Sequence, residues 1–195
     1  MKALNFPGSA LAARGGILCA RGKDLAGMSE DRDEPHGEPR FILDGSLGKL
    51  ARNLRMFGLD AELMDRPLKD ILFRASREKR WVLTRRTEAR RLKSCAVPVM
   101  EIRDDNPESQ LIQVLRNLSE PVGSSKWFWR CLVCNAMLKE LLRQEAVSRV
   151  PEHVAHSHEN FRHCPKCGRI YWPGSHRENM LKSMERWAKE AWGSG

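Results

Sequence analysis

The chain has 195 residues, 41% of them hydrophobic and 30% charged, which is enough for one well-cored domain with a small appendage and too few for several large ones. A formal charge of +9 and a pI near 9.6 favour a polyanionic partner, nucleic acid first, because each phosphate that is neutralised releases condensed counterions. No apolar run of about 18 residues occurs, which excludes a membrane-spanning helix.

The first 23 residues carry Lys2, Arg14, Arg21 and Lys23 and no acid before Asp24, as an organelle transit peptide would. That reading places the protein in the mitochondrial matrix. Gly8, Gly15 and Gly16 interrupt any helix, so the same stretch also reads as a disordered tail of a cytoplasmic protein. Residues 24–40 are polar, acidic and broken by Gly and Pro, a linker composition. Residues 1–39 are therefore expected outside the fold. The first 40 residues hold six basic and six acidic side chains, so the excess charge belongs to residues 41–195.

From Phe41 short apolar runs alternate with helical periods. FILD reads as a strand; Leu47, Leu50, Ala51 and Leu54 share a helical face that Gly58 ends. AELM, WVLT and VPVMEI read as further strands. Leu68, Ile71, Leu72 and Ala75 mark the second helix, a short basic helical stretch runs to about Lys93, and Leu111, Ile112, Leu115 and Leu118 mark the last. Strands alternating with such helices predict an α/β domain over residues 40–120, a parallel sheet flanked on both faces.

After Pro121-Val122-Gly123-Ser124-Ser125 the pattern changes to cysteine pairs and aromatics. Cys131-Leu-Val-Cys134 and Cys164-Pro-Lys-Cys167 have the spacing by which a tight turn offers two thiolates to one tetrahedral ion, and Asn135 and Gly168 suit the left-handed position after each pair. Four thiolates leave no open coordination position, so a structural zinc ion is expected. The 29 residues between Cys134 and Cys164 predict a zinc ribbon with an inserted excursion over 126–176; His163 and His176 are the alternative ligands. Trp127, Phe128, Trp129 and Arg130 suit either base stacking or packing of a module that lacks its own core. An amphipathic helix over 177–195, introduced by a capping box of Ser175 and Glu178, ends the chain.

In a parallel sheet, residues at the carboxyl ends of strands converge on one edge. Asp44 ends the first strand and Asp70 precedes the Ile71–Ala75 stripe, so the pair could hold Mg²⁺ or Mn²⁺, which take oxygen ligands; both also read as helix-start acids. At these residues the sequence resembles the Mut-7 C-terminal RNase domain family, a PIN-like nuclease fold followed by a zinc ribbon. The resemblance is carried by FILDGSLGKLARNLRMFGLDAELM, the stretch from Asp70 to LTRR, EIRDDNPESQL, RCLVCNAML and FRHCPKCGRIYWPGSH. It implies a metal-dependent ribonuclease with Asp44 and Asp70 as catalytic carboxylates. It also implies an aspartate after L-T-R, where this chain has Arg86, whose charge repels a cation. Glu88, Asp60, Asp104 and Asp105 are the acids available to compensate.

Between Arg74 and Lys93 nine basic residues face only Glu78 and Glu88. Lys49, Arg52 and Arg55 recur every third position on the first helix. Lys49, Arg52, Arg55, Arg85, Arg86, Arg90 and Arg91 are accordingly the expected RNA contacts. Two functions remain open. One is a catalytically impaired RNA-binding or ribonucleoprotein component, of an organelle ribosome or its assembly; the other is an active endoribonuclease using Asp44 and Asp70.

Overall fold

The computed structural model describes residues 39–91 and 97–193. The N-terminal targeting and linker readings, Cys19, Cys95 and Lys93 lie outside them.

Strands β1 (Arg40–Asp44), β2 (Asp60–Met64), β3 (Trp81–Thr84) and β4 (Val99–Glu101) form one parallel sheet in the order β2-β1-β3-β4. Helices α1 (Gly48–Met56), α2 (Leu68–Glu78) and α3 (Pro107–Leu115) connect or follow them. Side chains alternate across a strand, so Phe41 and Leu43 enter the core beneath α1 and α3 with Leu83 and Met100. Ile42 enters the α2 core on the other face with Val82, Val99, Leu68 and Ile71. The expected two-faced α/β sheet is what forms. VPVMEI supplies only three strand residues, and the basic stretch is a 3-10 turn over Thr87–Arg91.

Gly58 ends α1 for two reasons. Its φ is +84°, and a Cβ there would lie 2.2 Å from the Lys126 carbonyl oxygen. That close approach seats the second unit, whose antiparallel sheet comprises β5 (Lys139–Leu141), β6 (Phe161–His163) and β7 (Ile170–Tyr171). The excursion between the cysteine pairs holds two short helices, α4 (Arg143–Ala146) and α5 (Glu152–Ser157).

The ribbon borrows its neighbour's core. Trp127 and Phe128 are buried with Phe57 and Leu54, Trp127 meeting Phe57 edge-on at 5.2 Å between ring centres. These two rings are therefore packing groups and do not face solvent as base platforms. The backbone at Phe128, φ +60°, is a strained conformation for an aromatic residue, held by its N–H to the Met56 carbonyl at 2.8 Å.

The terminal helix α6 (Ser175–Trp192) starts earlier than the sequence suggests and packs on α3, with Met184 and Trp187 buried and Trp192 Nε1 donating to the Leu115 carbonyl at 3.0 Å. The capping box does not form. Gly174 is the N-cap and Ser175 is already helical, so its hydroxyl is one position too late to cap.

Candidate metal centre and sheet-edge acids

The four cysteine sulfurs lie within 4.8 Å of one another, the one group of three or more metal-ligating side chains so gathered among the described residues. Cys131 Sγ is 3.6 Å from Cys167 Sγ and Cys134 Sγ 3.3 Å from Cys164 Sγ. Tetrahedral zinc with Zn–S near 2.3 Å needs sulfurs roughly 3.8 Å apart, so the donor set fits. His163 and His176 are not part of it.

The two turns repeat each other bond for bond. Cys131 N–H donates to Ala136 O and Cys164 N–H to Arg169 O, both at 2.8 Å, while Asn135 N–H and Gly168 N–H close the turns onto Cys131 O and Cys164 O. Asn135 and Gly168 have φ of +67° and +72°, the left-handed position expected of each. Burial opposes ionisation of Cys131, but the Tyr171 hydroxyl at 3.1 Å and the backbone N–H groups of Cys134 and Val133 bring its thiol down to about 6. Burial and the neighbouring sulfurs push Cys134 up to about 12. Four thiolates this close coexist only around a cation.

Arg55 stands behind the first turn. It is 6% exposed and donates to the carbonyls of Ala61 at 2.8 Å and of Leu132 and Val133 at 3.0 Å. Burial lowers its pKa, and the charges of Cys131, Cys134, Asp60 and Glu62 oppose that shift. A zinc ion held by four thiolates would carry two net negative charges, which Arg55 would partly offset. Asn135 completes the junction: its Oδ1 accepts from Ala61 N–H at 3.1 Å and its Nδ2 donates to Asp60 Oδ1 at 2.7 Å. Arg80 and Arg130 also meet Asp60. Burial tends to raise the Asp60 pKa, but the bonds from Arg80 and Asn135 and both arginine charges hold it below the ordinary aspartate value.

At the carboxyl edge of the large sheet, Asp44 is 1% exposed. Its Oδ1 accepts from Ser46 N–H at 3.0 Å and from the Ser46 hydroxyl; its Oδ2 accepts from the Thr84 hydroxyl and from Arg85 N–H at 2.9 Å. Burial would raise its pKa, and these four bonds outweigh burial and lower it. A carboxylate offers about four acceptor positions, so the carboxylate is saturated by its own fold. Asp70 lies half-buried in the first turn of α2, which covers the same sheet face. Neither Asp44 nor Asp70 belongs to a group of three or more metal-ligating side chains among the described residues.

The compensating acids are dispersed. Asp60 begins β2, at the other end of the sheet, and serves the ribbon junction. Glu88 is exposed, Asp104 caps Asn106 N–H at 2.8 Å, and Asp105 pairs with Arg85. Two acids that sequence reasoning passed over lie at the same carboxyl edge of the sheet as Asp44. Asp65, just after β2, comes so close to Gly45 that a Cβ there would meet its Oδ1 at 2.9 Å. Glu101, 5% exposed, ends β4 in register with Thr84, on the sheet face of the Asp44 carboxylate. The signal for Glu101 was its place at a strand end within VPVMEI.

The basic residues divide. Lys49, Arg52 and Arg85 are exposed and Arg86 is half-exposed beside Thr84, to whose hydroxyl its N–H donates at 3.1 Å. Arg55 leaves this set, because its guanidinium is buried and committed to three carbonyls. Arg80 is likewise buried against Asp60 and Glu78, and Arg74 pairs with Glu62 and Glu78. Arg90 and Arg91 belong to the 3-10 turn, and their side chains lie outside the described set. No described helix is long and apolar enough to cross a membrane.

No curated protein matches the chain, and no solved structure does. A family model does match, that of the Mut7-C RNAse domain, over residues 39–184, a span that holds the sheet-edge acids and all four cysteines. The chain is a member of the Mut7-C RNAse domain family.

Proposed function

We propose that this protein binds RNA through a ribonuclease fold whose cleavage chemistry is impaired, as a ribonucleoprotein component, and that one structural zinc ion holds its ribbon. The observation that carries the reading is the saturation of Asp44: all four acceptor positions of its carboxylate are filled by Ser46, Thr84 and Arg85. Arg86 beside Thr84 adds a positive charge where the family resemblance implies an aspartate. Membership of an RNase domain family supports RNA as the ligand, and the exposed Lys49, Arg52 and Arg85 supply phosphate contacts near the carboxyl edge. The zinc reading rests on the fit of the four sulfurs.

A second reading has its own observation. Glu101 in register with Thr84, and Asp65 against Gly45, put two further carboxylates at the sheet edge that holds Asp44. If Asp44 exchanged its bonds to Ser46 and Thr84 for a metal, these acids would complete an oxygen shell for Mg²⁺ or Mn²⁺ and support an active endoribonuclease.

The deciding experiment purifies the full chain from its native cells, identifies bound RNA and proteins, and measures cleavage of single-stranded RNA with Mn²⁺. Stable RNA binding with no cleavage, and an Asp44→Asn protein that binds equally well, is the expected result. Robust cleavage that Asp44→Asn abolishes would overturn the impaired reading.

A further inference from the structure

Two arginines from different elements converge on consecutive aromatic residues. The guanidinium of Arg162, in β6, lies 3.6 Å from the centre of the Trp129 ring, and that of Arg177, in the first turn of α6, lies 4.7 Å from the centre of the Phe128 ring. The two cations sense each other: burial first, and then the Arg177 charge, hold Arg162 below the ordinary arginine value. Among the described residues neither has a carboxylate within the 4.0 Å of an ion pair. Glu140, across the β5–β6 pair from Arg162, is the acid whose charge reaches it, and Glu178 follows Arg177 on the exposed side of α6.

Two guanidinium groups against the single acid charge of Glu140 leave an excess of positive charge, which is unfavourable unless something else gains from it. A guanidinium stacked on a ring uses its π face, and its N–H edges remain directed outward in a fixed plane. Arg162 spends one of these edges on the Phe128 carbonyl at 3.2 Å. The start of α6 adds backbone donors, since no side chain caps its Gly174 N-cap and its first N–H groups carry the positive end of the helix dipole. Two planar forks and a helix start suit one tetrahedral, doubly bonded anion.

We infer that Arg162 and Arg177 form a phosphate site, and that its ligand is a backbone phosphate of the RNA bound by this chain; the RNA source rests on the functional reading above. The site is separate from the sheet edge. Phe128 is tied to Met56 at the far end of α1 from Asp44, about 14 Å of helix away. A bound strand would therefore pass along α1 and the ribbon.

The test uses the full zinc-loaded chain, a labelled single-stranded RNA and, separately, pyrophosphate, with Arg177→Gln and Arg162→Gln compared to wild type. Zinc content and thermal midpoint verify that each variant is folded. Because Arg162 also braces Trp129, Arg177→Gln is the decisive variant. The expected result is an RNA affinity reduced on the order of tenfold, with the slope of log affinity against log salt shallower by about 0.7. Equal affinity and slope in the folded Arg177→Gln protein, with any pyrophosphate stabilisation also equal, overturns the site. If wild type binds no RNA, the functional reading fails. A pyrophosphate stabilisation that Arg177→Gln abolishes then still supports the phosphate site, and none in wild type removes it.

Discussion

The proposed impairment of cleavage rests on single residues. Arg86 is half-exposed, so solvent screens it, and its repulsion of a cation held several Å away is worth about 1–2 kcal/mol, roughly tenfold in metal affinity. Arg86→Asp is expected to strengthen Mn²⁺ binding by at least that factor, and isothermal titration measures it. Unchanged affinity would mean that Asp44 remains locked to Ser46 and Thr84 whatever stands at position 86. At the ribbon junction, Asp60 has a pKa depressed in the fold, so its stabilising contribution is complete above the unfolded value of 3.8 and disappears as pH falls through the folded one. Asp60→Asn, which leaves the buried Arg80 with Glu78 alone of its two acids, should cost about 2 kcal/mol near neutral pH, or roughly 4–8 °C in thermal midpoint. The gap between the two proteins should narrow below pH 3.8, and a pH-independent gap would assign the loss to packing. Residues whose role is local are legible in the sequence: the cysteine spacing alone implies the left-handed turns at Asn135 and Gly168. Arg55 is not, because helical period reports which face a side chain shares and cannot report that a loop 77 positions later covers it.

At the scale of elements, the strands and helices of the sheet are readable because each carries a period of two or of about 3.6 matched to its burial. The start of α6 departs from the sequence reading since the Ser-x-x-Glu pattern fits two helix registers, and only the extended Gly174 selects between them. The carboxyl-edge acids are half legible. Asp44 follows from its strand end, whereas Asp65 and Glu101 depend on which strands are neighbours, which no local pattern states. On the proposed zinc reading, the ribbon is the element whose stability rests on metal. Cys164→Ser should remove zinc binding and free the β5–β7 sheet, with hydrogen exchange rising over residues 130–171 while β1 and β3 stay protected. Intact protection over that span in a zinc-free protein would refute the metal's structural role.

For the whole molecule, the +9 charge becomes functional only where it is exposed and unpaired, and burial has withdrawn Arg55 and Arg80 from that use. Replacing Lys49 and Arg52 together by Glu should reduce RNA affinity on the order of tenfold or more and flatten its salt dependence. Anisotropy titrations at two salt concentrations check this, and no change would put the RNA path elsewhere. The junction between ribbon and sheet also bears on how the protein keeps to itself. Strand β2 is one of the two outer strands, and the outward N–H and carbonyl of Ala61 are occupied by Asn135 and Arg55, both held in place by the first cysteine turn. An outer strand stripped of such cover is a template for pairing with another copy. Metal loss would thus act as a trigger for self-association: chelated protein should grow into larger species by light scattering while the zinc-loaded chain stays monodisperse, so that the ion guards solubility as much as shape.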